Sequence, residues 1–489
     1  MGLLFPLGED EDEPLYRRVR QGLEKSILAG RFEGRRLPSS REVATELGVS
    51  RNTVNLAYQE LITDGVVIAR PRSGYVVNDE MVARQAAHPT EAASPGWLAR
   101  LEPPPGTGEL PHIRKPEHWD RYPFAFVTGH LPSEAFPDRA WLRSLREALR
   151  GEHRRFSLQD GIDVDDPLLT ELVCREILAG RGIAATPDRV LITVGSQQGL
   201  HLVAAALVGE GSRVMVENPG YPDARHILAR AGAALVPGEV DDGGLIVDDR
   251  LLDVDLAVTT PTHHYPSNVT MSGQRRQRLV ALARERDIVL VEDDYDSELR
   301  FVGRASPALA SLDPDAVVYL GSFSKFLAPG LRLGFVSAHP ALIEHLRDLR
   351  RYTIRHPSGH QQRALALLIE SGEYRRGVRH LRDAMRVRWE RTVAAVRLHL
   401  PDWVMRPRAG GVSVWIGGPP GLDTRELAVR LDSRGVLIEP GDTFFFASPT
   451  APHGPIPRHW IKLGFGALAP EKIDEGVAII ADEAKRMLG

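Results

Sequence analysis

At 489 residues, with 43% hydrophobic and 26% charged side chains, the chain has the composition of a soluble globular protein with about two or three domains. Its single cysteine, Cys174, excludes an intramolecular disulfide or a cysteine-cluster metal site, and no apolar run approaches the ~20 residues that span a bilayer. The net charge of −4 is unevenly spread, since Pro14 to Val77 holds 11 Lys/Arg against 6 Asp/Glu, a basic excess that points towards nucleic acid.

Residues 1–13 form an acidic tail, Glu9 to Glu13, the opposite of a basic signal-peptide start, which predicts a cytoplasmic protein with no membrane partner. Leu15, Val19, Leu23 and Ile27 then recur every fourth residue and predict a helix closed by Gly30 and Gly34. Ser39 with Glu42 fits a capping box, Gly48 a tight turn, and Ser50 the N-cap of a following helix. Val43, Leu47, Val54, Tyr58 and Leu61 supply a shared core, which leaves Arg51, Asn52, Thr53 and Asn55 at the exposed start of the second helix. A helix-turn-helix presents its recognition helix to the major groove in this way. Val66–Ile68 and Tyr75–Val77 flank Arg70-Pro71-Arg72-Ser73-Gly74, a wing whose basic tip reaches phosphates or the minor groove. Residues 14–79 thus read as a winged helix-turn-helix. The proline-punctuated stretch 80–122 reads as a linker, with a short helix suggested by Trp97, Leu98 and Leu101.

From residue 123 to 489, strand-like apolar runs alternate with amphipathic helical ones, as in an α/β domain with a mainly parallel sheet. Ligands in such sheets sit beyond the carboxyl ends of the strands, where the polar motifs here fall. Ser196 and Gln197 open a helix and offer an anion cup. Tyr221 follows the strand ending at Glu217, and His263 the one ending near Pro261. Tyr221 is expected to line a pocket, and His263 to stack on or bond a cofactor. Asp293 and Tyr295 end another strand; Asp294, between them, faces the other way if the strand persists. The most informative run is Tyr319 to Gly334. An apolar strand delivers a Gly-Ser-rich turn that presents Lys325 among Phe323, Phe326 and Leu327, and a second strand is expected to carry Arg332. Desolvation lowers the pKa of an amine so placed, and Schiff-base formation with an aldehyde needs a neutral amine. Ser322, Ser324 and Arg332 are donors suited to a phosphate. An aldehyde bearing a phosphate describes pyridoxal 5'-phosphate (PLP). Asp293 would then keep the pyridine nitrogen protonated and Tyr295 would bond the phenolic oxygen.

The lysine block closely resembles that of fold-type I aminotransferases. Residues 14–79 resemble the winged helix of GntR-type transcription regulators through L-P-S-S-R, G-V-S-R-x-T-V and S-G-Y. Together they resemble the MocR family, which fuses the two, with E-D-D-Y-D-S-E and G-S-F-S-K-x-L-x-P-G-L-R-L-G as its most specific parts. The resemblance implies a PLP-dependent fold-type I domain in a head-to-tail homodimer, sensing PLP or a PLP-amino acid adduct. It also implies DNA contacts at Arg41, Arg51, Thr53 and Gly74, with Asn52 and Arg72 added from their places on the recognition helix and wing. Three positions depart from the pattern: the segment Phe156–Gly161, Asn268 after Pro266-Ser267, and Lys462 where relatives place a carboxylate-binding arginine. Lysine is a point charge without the planar fork, which weakens the case for an amino-acid substrate. The expectation is a PLP-responsive regulator of operator DNA; the alternative is a working aminotransferase that carries a DNA-binding domain.

Overall fold

The computed structural model describes residues 13–32, 36–70, 74–80, 97, 118–303, 306–405, 410–447 and 456–489. Arg72, Gly34, residues 1–12, Leu98, Leu101 and most of the linker lie outside them. The chain divides into two compact units, Met1–Glu102 and Pro103–Gly489.

The first unit contains helices α1 (Leu15–Leu28), α2 (Ser40–Leu47) and α3 (Arg51–Thr63), then an antiparallel hairpin of β1 (Val67–Arg70) and β2 (Gly74–Val77). Val19, Leu23, Ile27, Val43, Val54, Tyr58 and Leu61 form its buried core. The capping box at α2 is complete: Ser39 Oγ accepts from Glu42 N, and Glu42 Oε2 accepts from Ser39 N at 2.7 Å. Gly48 closes α2 at φ 66°, a left-handed conformation that costs glycine nothing. Tyr58 joins three elements, since its ring stacks on Tyr75 of β2 at 4.3 Å and its hydroxyl donates to Pro38 O at 2.6 Å.

The second unit opens with β3 (Phe124–Ala125). Its large sheet comprises β4 (Val190–Thr193), β5 (Arg213–Asn218), β6 (Ala234–Asp241), β7 (Gly244–Leu245), β8 (Leu256–Thr259), β9 (Val289–Asp294), β10 (Val317–Ser322) and β11 (Gly334–Ser337), in the order β4-β11-β10-β9-β8-β5-β6-β7. Strands β5, β6, β8, β9 and β10 run parallel, while β11 is antiparallel to both β10 and β4. One face packs Leu191, Val216, Val291, Val318 and Val336 against helices α4 (Ser196–Leu207), α5 (Pro222–Arg230) and, through Ile343 and Leu346, α6 (Pro340–Arg351). The other face buries Ile192, Met215, Leu290, Tyr319 and Phe335 in the main core. With both faces covered, its strands are apolar along their middles and carry their polar residues mainly at their ends.

Beyond α6, the chain forms a smaller sheet of β12 (Val404–Met405), β13 (Ser413–Gly417), β15 (Glu439–Pro440) and β16 (Trp460–Gly464), while β14 (Val436–Leu437) pairs with β3. Its register sets Lys462 between Trp415 and Glu439. The expected strand around Arg332 is corrected: Arg332 has φ 49° after the Pro329–Leu331 turn, and β11 begins only at Gly334. Asn268 has φ 57°, a left-handed conformation that asparagine tolerates better than most residues, and its Nδ2 donates to Ser413 O at 2.5 Å.

Candidate functional site

The carboxyl ends of the parallel strands, the turn after β10 and the start of α4 enclose a cavity of about 460 Å³. Ser196, Gln197, Tyr221, Asp293, Tyr295, Ser322, Ser324, Lys325 and Arg332 all line it, although they come from five separate stretches of sequence. Lys325 is half-buried on the turn between β10 and β11. Asp293 ends β9 facing the cavity, and its Oδ1 has no hydrogen-bond partner among the described residues. Burial, aided by the neighbouring Asp294 and Asp296, pushes the Asp293 carboxyl up to about 7, against the pull of Lys325. Asp294 faces the opposite side of β9 and accepts from Arg181 Nε at 2.8 Å and the Tyr319 hydroxyl at 2.7 Å.

The other end of the cavity is built for an anion. Gly195 is the N-cap of α4 with φ 80° and makes no side-chain cap, so α4 opens on to the cavity with its backbone N–H groups. A Cβ at Gly195 would stand 2.9 Å from the Arg332 guanidinium, so a larger residue there would push that cation aside. Ser322 and Ser324 complete this end, with Ser324 Oγ buried and unpartnered among the described residues.

Two expected residues stand elsewhere. His263 does not line the cavity; it is buried, with Nδ1 2.8 Å from Asp296 Oδ1. A carboxylate fixed behind the strand end holds that ring, whereas Thr260 and Tyr265 of the same loop reach the cavity. Lys462, expected to meet an effector, is fully buried behind Tyr265: its Nζ lies 3.5 Å from the Tyr265 ring centroid and 4.0 Å from Glu439 Oε2. Thr128, Gly129, Asp223, Thr260, Tyr265 and Val412 also line the cavity without having been anticipated as site residues. Asp223 and Tyr265 lay within or beside segments already marked by Tyr221 and His263. Thr128, Gly129 and Val412 carry no chemical signal in sequence.

In the first unit, Arg41, Arg51 and Asn52 are exposed around the start of α3, and Arg51 Nε donates to Ser40 Oγ at 3.4 Å. Thr53 serves the cap: its hydroxyl is 2.7 Å from Ser50 Oγ, which also accepts from Thr53 N. Gly74 is exposed at φ 79° where β2 begins.

A winged helix-turn-helix joined to an α/β unit whose cavity gathers a lysine, an aspartate and an arginine defines a class: a DNA reader fused to an aminotransferase-like domain. Residues 15–77 match the family of bacterial regulatory proteins, gntR family, and residues 133–480 match aminotransferase class I and II. The chain is 41% identical to the HTH-type transcriptional regulator TauR of Rhodobacter capsulatus, over 96% of each chain. It is 32% identical to the probable rhizopine catabolism regulatory protein MocR of Rhizobium meliloti, over 97% of this chain and 94% of that one. Among solved structures it resembles the Pyrococcus horikoshii kynurenine aminotransferase in complex with PMP (TM-score 0.72, 25% identity), across 81% of this chain and 99% of that one. The chain belongs to the MocR-type helix-turn-helix transcriptional regulators, with a GntR-type reader and a class I/II aminotransferase domain of the fold that uses PLP.

Proposed function

We propose that this regulator binds PLP in the large-domain cavity and changes its affinity for operator DNA when PLP, or an amine engaging it, occupies that cavity. Residues 14–79 read DNA, 80–122 connect, and 123–489 hold the cofactor in a head-to-tail homodimer. The chemistry of the lining fits PLP. Lys325 supplies the amine for its aldehyde; buried Asp293, whose Oδ1 has no hydrogen-bond partner among the described residues, suits a ring N–H, and Tyr295 suits the phenolic oxygen. Arg332, Ser322, Ser324 and the backbone N–H groups of Ser196 and Gln197 suit the phosphate. When bound, PLP supplies an electrophilic carbon on an electron-withdrawing ring.

One observation favours sensing over turnover: the residues expected to hold PLP, His263 excepted, line the cavity, while Lys462 is turned against Tyr265 and Glu439. Without a rigid carboxylate anchor, an amino acid's Cα–H bond is poorly aligned, and misplacement by about 1 Å can cost ~100-fold in rate. The second reading, a working aminotransferase, draws on the same intact cradle. The deciding experiment measures PLP absorbance, transamination with ordinary amino acids and keto acids, and operator affinity on one preparation. Bound PLP that alters DNA affinity with negligible turnover is expected, and Arg51→Ala should weaken operator binding by about 1–3 kcal/mol at fixed salt. Rapid multiple turnover with no effect of PLP on DNA would put the enzyme first.

A further inference from the structure

Among the described residues, four charged side chains line the cavity: Asp223, Asp293, Lys325 and Arg332. On the PLP reading above, three have their counterpart in the ring nitrogen, the aldehyde and the phosphate. Asp223 remains. It sits in the first turn of α5, where its Oδ2 accepts from the Tyr221 hydroxyl at 3.1 Å and Gln197 Nε2 at 3.4 Å. Both donors are neutral side chains. Arg225, two residues on, gives its guanidinium to the Thr443 and Phe444 carbonyls and makes no ion pair with Asp223 among the described residues.

The wall formed by Thr128 and Tyr265 offers an anion no compensating cation. Behind it the Lys462 ammonium is covered by the Tyr265 ring and stands 4.0 Å from Glu439, whose Oε1 accepts from Thr128 N at 2.9 Å and Thr128 Oγ1 at 2.7 Å. Those two charges offset each other. A ligand carboxylate would therefore meet no unassigned cation in this chain's lining and would face Asp223. A second cation would find a carboxylate with Tyr221 and Tyr265 beside it; the two rings pack edge to face at 5.3 Å, and Tyr265 already meets the Lys462 ammonium.

We propose that the effector is a short diamine or amino-guanidine: one amine directed at the cofactor, the distal cation held by Asp223. This rests on PLP occupying the cavity as described above. The test is a titration of the PLP-loaded full chain, followed by PLP absorbance and by operator affinity. The probes are 1,5-diaminopentane, pentylamine and 5-aminopentanoate, which differ only in the distal group. The diamine should half-saturate at a concentration about tenfold or more below the other two, as a charge-assisted hydrogen bond predicts. Asp223→Asn, which keeps an acceptor for Tyr221, should remove that advantage while leaving the pentylamine response unchanged. Tighter binding of 5-aminopentanoate, an undiminished diamine preference in Asp223→Asn, or no response to any amine with PLP bound would each overturn the assignment and leave the PLP site standing. A wild-type chain that takes up no PLP overturns the underlying reading, and this one with it.

Discussion

Lys325 and Asp293 are the residues to which the proposed function assigns the site's chemistry, and each can be tested alone. Lys325→Ala removes the only lysine among the described residues that line the cavity. Borohydride treatment of the variant with PLP should leave no cofactor fixed to the chain, while the reader's operator binding without PLP persists. Fixation undiminished from wild type would exclude Lys325 as the attachment point. For Asp293, burial raises the carboxyl from 3.8 to about 7. Between those values the folded, PLP-free chain holds a proton that the unfolded chain releases. Its contribution to stability therefore falls as pH rises through that window and is lowest above it. Asp293→Asn cannot ionise, so the PLP-free variant should melt higher than wild type at pH 8. A gain of about 1–2 °C is expected for each kcal/mol recovered, and the gain should shrink at pH 5. Its PLP retention should fall at both pH values. An equal difference in melting temperature at pH 5 and pH 8 would contradict a raised Asp293.

At the scale of elements, the phosphate end depends on α4 beginning where it does. Gly195 is held at φ 80°, and any Cβ there crowds Arg332. Gly195→Ala should cost about 1–3 kcal/mol in backbone strain and displace the guanidinium from the helix end. PLP dissociation should accelerate while operator binding by the PLP-free chain stays the same. Unchanged PLP dissociation would separate Arg332 from phosphate binding. The reader's elements follow more local rules. Ser39, Glu42, Gly48 and Ser50 fix the ends of α2 and the start of α3 within a few residues of sequence.

At the scale of the molecule, two compact units imply two cooperative transitions on heating, since each has its own core. A ligand bound only by the folded large unit stabilises that unit, by about 2.7 kcal/mol at a hundredfold excess over Kd. Calorimetry with and without PLP should show the large unit's transition moving up and the reader's staying in place. A shift of both together by the same amount would mean that the units unfold as one.

The sequence determined what rests on local rules and on residue chemistry. Capping, helix periodicity and the Gly48 turn laid out the reader, and apolar runs of strand length laid out the parallel sheet. The Ser-Phe-Ser-Lys…Arg block and the Asp-Asp-Tyr strand end pointed to the stretches that line the cavity, and to the phosphate-bearing aldehyde proposed for it. Side-chain alternation in β9 separated Asp293 from Asp294 before any contact was known. What only the tertiary structure decided depends on which atoms stand opposite each other across long sequence separations. His263 turns to Asp296, not into the cavity, and Lys462 is claimed by Glu439 and the Tyr265 ring. Asp223, unremarkable in a helix's first turn, becomes the one lining charge left without a cofactor counterpart, because α5 packs beside the start of α4. Residue type tells which groups can bind an ion; burial and the partner across the fold decide which of them remain available to a ligand.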